Sequence, residues 1–138
     1  MFKFDVTTSN AGGEYEPRNI GAIWISDGTN RFVKTLKVWA NRRQRHLNKW
    51  VAASGQDTTD AVTGATLNSH GLRNATWDCS DVNHQPVPFG DYRVNIEFTE
   101  SNSAGPSLSI PFPRNTTVQT LTAPDQGKFK GAHIQVTP

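Results

Sequence analysis

The residues of this sequence that could do chemistry are gathered in one short polar stretch, Asp60-Ala61-Val62-Thr63-Gly64-Ala65-Thr66. The stretch combines hydroxyl groups with an upstream carboxylate. Gly64 and Ala65 add almost no bulk beside Thr66, so the Thr66 hydroxyl could enter the active site of another enzyme. The alternative interpretation is purely structural, with the stretch forming a turn that Asp60 caps. The residue types alone leave both interpretations open.

Other kinds of chemistry lack a matching pattern. No Ser/His/Asp arrangement, paired carboxylates or glycine-rich phosphate loop is present, and the four histidines lack the spacing of metal ligands. The single cysteine, Cys79, allows no internal disulfide, and we expect it to be a half-buried strand or turn residue. The net charge is only +2, and no basic stripe is interleaved with aromatic residues. Nucleic acid is therefore not an expected partner.

The elements that must position the stretch are mainly short strands. A chain of 138 residues with 11 glycines and 8 prolines is expected to form one domain, residues 1–138, that is rich in turns. Alternating apolar and polar residues predict seven or eight strands, most clearly over Asp91–Phe98. Pro111 and Pro113 place the strand around Leu108 at a sheet edge. The pattern predicts an all-β fold, an antiparallel immunoglobulin-like β-sandwich.

One short helix is predicted to be inserted before a long loop. Asn41 is a suitable N-cap and is followed by an apolar face that includes Trp50. We therefore predict a helix over about residues 41–53, ending before Gly55. Residues from about 55 to 72 are polar and aperiodic, which predicts a long irregular loop. Loops of this length usually carry function or are disordered, and the polar stretch lies within this one.

A second stretch indicates the fold and not the chemistry. Residues 77–92 read Trp-Asp-Cys-Ser-Asp-Val-Asn-His-Gln-Pro-Val-Pro-Phe-Gly-Asp-Tyr. They resemble a hairpin that is common in bacterial immunoglobulin-like modules, with Cys79 and Gln85 where glycines are usual. Asp78 and Asp81 are expected to organise its turns through the neighbouring backbone.

The polar stretch itself matches the pattern D-x-x-(S/T)-G-A-(S/T). It resembles the attachment site of proteins modified by an FAD-dependent flavin transferase, such as subunits of the sodium-pumping NADH:quinone oxidoreductase. In that family the transferase, with Mg²⁺, moves FMN from FAD onto the last hydroxyl as a phosphoester. The resemblance implies covalent FMN on Thr66. It also implies that Thr63, Gly64 and Ala65 are the recognition core and that Asp60 is the upstream acid.

The wider chain resembles a family of predicted periplasmic proteins that occur beside or fused to PepSY membrane domains. The Val33–Trp39 strand, the Leu47-x-x-Trp50 helix and the 77–92 hairpin carry this resemblance. It implies a periplasmic or otherwise extracytoplasmic location, with a leader that is not part of these residues. It also implies a membrane-bound electron-transfer partner, such as a PepSY-type protein.

Together these features predict an electron-transfer flavoprotein domain and not an enzyme with its own substrate. Trp50 and His70 are candidate flavin neighbours. The basic residues that could contact the phosphate or the ring are Arg42, Arg43, Arg45 and Arg73. The alternative is a non-catalytic immunoglobulin-like module that binds carbohydrate, cell wall or a protein through partly exposed tryptophans.

Overall fold

The computed structural model describes residues 1–40 and 43–138, which form a two-sheet β-sandwich. The strands are β1 (Phe2–Thr8), β2 (Ile20–Asp27), β3 (Phe32–Trp39), β4 (Val62–Gly64), β5 (Leu72–Trp77), β6 (Gly90–Thr99), β7 (Ser107–Arg114), β8 (Gln119–Thr122) and β9 (Phe129–Val136). A four-stranded sheet has the order β5-β1-β9-β8, and a five-stranded sheet has the order β4-β3-β2-β6-β7. The predicted β-sandwich is confirmed. Among the strands in the described ranges, only β3 and β4 pair in parallel.

The main core lies between the sheets and is rich in aromatic side chains. Phe2, Phe4 and Val6 alternate along β1 and are fully buried. Phe2 meets the edge of Trp77 and packs on Phe112, with ring centroids 6.1 and 4.7 Å apart. Burying a side chain of this size stabilises the fold by roughly 1.5–3 kcal/mol. All four tryptophans are at most 5% exposed, so none provides the exposed surface expected for the alternative binding module.

The helix α1 (Asn48–Ser54) covers the outer face of the five-stranded sheet. The buried carboxylate of Glu97, on β6, takes the place of an N-cap. It accepts hydrogen bonds from the backbone N–H groups of Lys49 and Trp50, at 3.1 and 2.9 Å. Burial raises the pKa of Glu97, although these two hydrogen bonds oppose the shift.

The helix begins later than predicted. Asn41, the expected N-cap, lies outside the described residues, and a 3-10 turn over Gln44–His46 precedes α1. The start of α1 depends on Glu97, a residue distant in sequence that local patterns do not reveal. The end agrees with the prediction, because Gly55 adopts a left-handed conformation with φ of 60° directly after the helix.

The predicted hairpin after β5 is confirmed. Asp78 and Asp81 each accept hydrogen bonds from the backbone N–H groups that follow them. Cys79 is buried, with a positive φ of 65°, at a position where a glycine is usual. Gln85 occupies the other position where a glycine is usual. A positive φ occurs at its neighbour His84 and not at Gln85 itself. The proline-containing strand β7 lies at a sheet edge, as predicted.

The segment predicted as one irregular loop is interrupted by a strand. Residues Val62–Gly64 form β4, which pairs with β3 at the edge of the five-stranded sheet. The Ala40 N–H donates to the Gly64 carbonyl at 3.0 Å, and Leu67 exchanges two backbone hydrogen bonds with Asn19. All three β4 residues are exposed, so the strand lacks the alternating burial that would have revealed it.

Candidate functional site

The stretch from Asp60 to Thr66 runs along the open edge of the five-stranded sheet, beside β3. On one side of Thr66, β4 is paired with β3. On the other side, Leu67 is paired with Asn19. Thr66 is therefore presented from a backbone that is anchored both before and after it.

Thr66 lines an open cavity of about 390 Å³ together with Tyr15, Arg18, Arg43 and Asn68. The Thr66 side chain is half-buried, and no hydrogen bond to the described part of the chain engages its hydroxyl. The Arg43 guanidinium stacks on the Tyr15 ring, 4.7 Å from its centroid. The cavity thus combines a free hydroxyl, two cations and an aromatic surface, which is a suitable set of groups for a phosphorylated aromatic ligand.

The loop that supplies Tyr15 and Arg18 is held by Glu100. One Glu100 carboxylate oxygen accepts the backbone N–H groups of Ala11 and Gly13, at 2.8 and 3.0 Å. The other oxygen lies 2.7 Å from His70 Nε2. Burial by itself would raise the pKa of Glu100, but these hydrogen bonds outweigh it and lower the pKa.

A buried amide joins the two chain segments that border the cavity. The Asn19 side chain is fully buried and donates to the carbonyls of Pro17 and Ser69, each at 3.0 Å. Its oxygen accepts hydrogen bonds from the Trp39 indole at 2.9 Å and from the Arg73 guanidinium at 3.3 Å. Pro17 precedes Arg18 and Ser69 follows Asn68, so Asn19 fixes the spacing between two walls of the cavity.

Asp60 lies at the other end of the stretch, in an ion-pair network. Its Oδ2 lies 3.1 Å from His84 Nδ1 and 3.6 Å from Lys34 Nζ. Lys34 is buried and also donates to Ser80 Oγ at 3.0 Å, with Asp78 Oδ1 at 3.8 Å. A second cavity, of about 370 Å³, is bordered by Lys34, Asp60, Asp78 and His84.

Trp50 and His70 lie away from the Thr66 cavity. Trp50 is buried beneath α1, where its indole N–H donates to Thr35 Oγ1 at 3.0 Å. The His70 ring is held between Glu100 and Thr8 Oγ1, which lies 2.9 Å from its Nδ1. Both side chains make contacts that stabilise the fold. Neither lies at the Thr66 cavity, where the predicted contact with the flavin would require it.

Of the predicted basic neighbours, the structure brings Arg43 to the cavity. Arg73 is buried against Asn19, Arg45 belongs to the 3-10 turn and does not line the cavity, and Arg42 lies outside the described residues. Sequence reasoning missed Tyr15 and Arg18. They come from an irregular loop far before Thr66, and no motif marks them.

Gly64 is not required by the fold. Its φ lies outside the left-handed region, and a Cβ built there would meet no atom within 4 Å. At Gly21, by contrast, a Cβ would lie 2.1 Å from the Trp39 ring. Gly64 therefore does not supply a backbone conformation that other residues cannot adopt.

Comparison with known proteins gives one match. A family model described as "Predicted periplasmic protein (DUF2271)" matches residues 2–130, and that description agrees with the predicted periplasmic location. No curated protein and no solved structure matches the chain. Within the described ranges, no helix is long and apolar enough to cross a membrane, and no group of three or more His, Cys, Asp or Glu side chains could hold a metal ion.

Proposed function

We propose that this chain, which belongs to the DUF2271 family of predicted periplasmic proteins, is an electron-transfer domain with FMN attached covalently to Thr66. The observation that carries the proposal is the Thr66 hydroxyl, which no described residue engages, beside Arg18, Arg43 and Tyr15. The Asp60–Thr66 pattern supports it independently. The cavity volume lies within the usual range of about 300–1,000 Å³ for small-molecule sites.

Attachment requires a separate FAD-dependent flavin transferase with Mg²⁺. Thr66 Oγ1 forms a bond to the phosphorus of the FMN half of FAD, and the bond between that phosphorus and the oxygen bridging to AMP breaks. AMP leaves with the bridging oxygen, and the hydroxyl proton passes to a base of the transferase. One FAD and one hydroxyl thus yield one phosphoester and one AMP, without oxidation or reduction.

The chain's own residues would then hold the attached group. Arg18 and Arg43 would donate charge-assisted hydrogen bonds to the phosphate, and the Tyr15 ring stacked on Arg43 would provide a flat surface for the isoalloxazine. The flavin supplies the redox chemistry, while the protein sets its exposure and surroundings. We propose a membrane-bound electron-transfer protein, such as a PepSY-type protein, as the redox partner.

The intact mass of the protein tests the proposal. When the chain is exported with a leader and co-expressed with the flavin transferase, we expect a gain of one FMN less one water. Thr66→Ala should abolish the gain, because it removes the acceptor oxygen. Thr120→Ala, which removes an exposed hydroxyl from β8, should load like wild type. Wild-type protein that stays unmodified and colourless under these conditions would contradict the proposal.

Substitution of Gly64 tests whether the transferase recognises this residue or whether the residue only forms part of a turn. Gly64→Val should leave the melting temperature within about 2 °C, because β-branched residues suit an exposed strand and the position is open. Flavin loading should fall at least about tenfold, because the added bulk stands beside the acceptor. Val62→Ala, at the start of the same strand, should load normally. Normal loading of a folded Gly64→Val protein would show that Gly64 is not part of the recognition core.

A second candidate function is a non-catalytic immunoglobulin-like binding module for carbohydrate, cell wall or a protein. Two observations favour it. The Tyr92 hydroxyl donates to the Pro88 carbonyl at 2.5 Å, in the manner of the tyrosine corner of immunoglobulin-like domains. An open cavity of about 560 Å³ also lies beside the exposed Phe89. Binding of unmodified protein to isolated cell walls, lost in Phe89→Ala, would support this function over the first.

A further inference from the structure

We infer that Lys34 and His84 are positioning residues for flavin attachment. They hold Asp60 in place, so the transferase binds the recognition stretch Asp60–Thr66 as an edge of the sheet that is already formed. The inference rests on the proposed function. It differs from recognition of a flexible peptide, in which residues outside the stretch would have no influence on the transfer.

Lys34 ties the stretch to the body of the fold. Its side chain is 6% exposed, and the amine reaches three acceptors, Ser80 Oγ, Asp60 Oδ2 and Asp78 Oδ1. A buried ammonium group needs such partners, because an unpaired charge in the protein interior is strongly destabilising. Two of the acceptors belong to the hairpin after β5 and one belongs to the recognition stretch. Lys34 on β3 therefore fixes Asp60 relative to both the strand and the hairpin.

Only one oxygen of Asp60 is used in this network. Both Lys34 Nζ and His84 Nδ1 approach Oδ2, while Oδ1 accepts no hydrogen bond from the described residues. The side chain is 43% exposed. Asp60 also has a φ of 60°, a conformation that is unfavourable for residues other than glycine and that its surroundings must maintain. The network thus leaves Oδ1 free for a hydrogen-bond donor of the transferase.

The backbone of β4 provides a second contact at a fixed distance. The Gly64 carbonyl points towards β3, where it accepts from Ala40. Because hydrogen-bonding direction alternates along a parallel strand, the N–H and C=O groups of Thr63 point away from β3. They lie on the open edge, where a strand of the transferase can pair with them. Asp60 Oδ1, the Thr63 backbone and the Thr66 hydroxyl then form one rigid series of contacts.

The kinetics of FMN transfer to the folded domain test the inference. With purified transferase and saturating FAD, Lys34→Met should raise the KM for this domain about tenfold, and His84→Ala should raise it about threefold. The kcat should stay within about twofold in both, because the acceptor Thr66 is unchanged. Lys37→Met is the matched control, since Lys37 lies on the same strand but contacts Asn74, at 3.5 Å. Its KM should equal that of wild type.

A double-substitution experiment separates positioning from a general loss of stability. In an Asp60→Asn background, Lys34→Met and His84→Ala should cause little further rise in KM, because both act through the Asp60 carboxylate. The His84 side chain is 69% exposed, so His84→Ala keeps the test decisive even if Lys34→Met does not fold. Wild-type KM values in folded His84→Ala and Lys34→Met proteins, or effects that persist undiminished beside Asp60→Asn, would overturn the inference. Wild-type protein that is never modified would refute the proposed function itself.

Discussion

Replacing Asn19 with alanine is expected to lower the free energy of unfolding by about 3–4 kcal/mol, among the largest losses for a single polar substitution. The change removes four hydrogen bonds of a fully buried amide, to Pro17, Ser69, Trp39 and Arg73. It also leaves the Trp39 indole N–H and two carbonyls without these partners in a site closed to water. Urea denaturation followed by circular dichroism measures the loss.

Asn74→Ala is the matched control for this prediction. Asn74 is exposed on β5, and its side chain accepts one long hydrogen bond of 3.5 Å from Lys37. We expect the control to change the free energy of unfolding by no more than about 0.5 kcal/mol. A loss below about 1 kcal/mol for Asn19→Ala would mean that the amide does not hold these segments together.

Replacing Glu100 with glutamine is expected to cost about 2–3 kcal/mol at pH 7, because a carboxylate that accepts three hydrogen bonds is lost. The contribution of Glu100 to the free energy of unfolding depends on pH. The pKa of Glu100 in the folded protein lies below its ordinary value of 4.5. Its stabilising contribution is therefore fully present above about pH 4.5 and is lost as the pH falls through the lowered pKa.

Denaturation at pH values from 7 down to 2 measures this dependence. The stability of wild type should fall more steeply in the acid range than that of Glu100→Gln, so the two curves converge at low pH. Glu14→Gln changes an exposed carboxylate in the same loop and should keep the wild-type curve. Parallel curves for wild type and Glu100→Gln would show that Glu100 is not the group whose protonation weakens this region.

Sequence patterns predicted the elements whose signal is local. The alternation of Tyr92, Val94, Ile96 and Phe98 predicts β6, because one face of that strand is buried in the main core. The start of α1 was missed because its cap, Glu97, belongs to a strand far along the chain. The strand β4 was missed because its three residues are all exposed, so its place in the sheet depends only on backbone pairing with β3.

The same distinction applies to the candidate site. Asp60 and Thr66 were identified from one continuous pattern, and the structure adds where each lies along the sheet edge. Tyr15 and Arg18 reach the cavity only because Glu100 and Asn19 hold an irregular loop next to it. Trp50 was predicted as a flavin neighbour from its position beside the loop. Its burial beneath α1 is decided by packing on the outer face of the sheet, which proximity in sequence does not reveal.

The two edges of the five-stranded sheet also determine how the chain resists aggregation. Open edges present unpaired backbone groups on which a second copy can add a strand, and short strands or prolines prevent this. At one edge, β4 has three residues, and only Thr63 turns both of its backbone groups outwards. At the other edge, β7 carries Pro111 and Pro113, which lack N–H donors. The strand that precedes Thr66 is thus long enough for the proposed transferase to pair with and too short to template the pairing of identical chains.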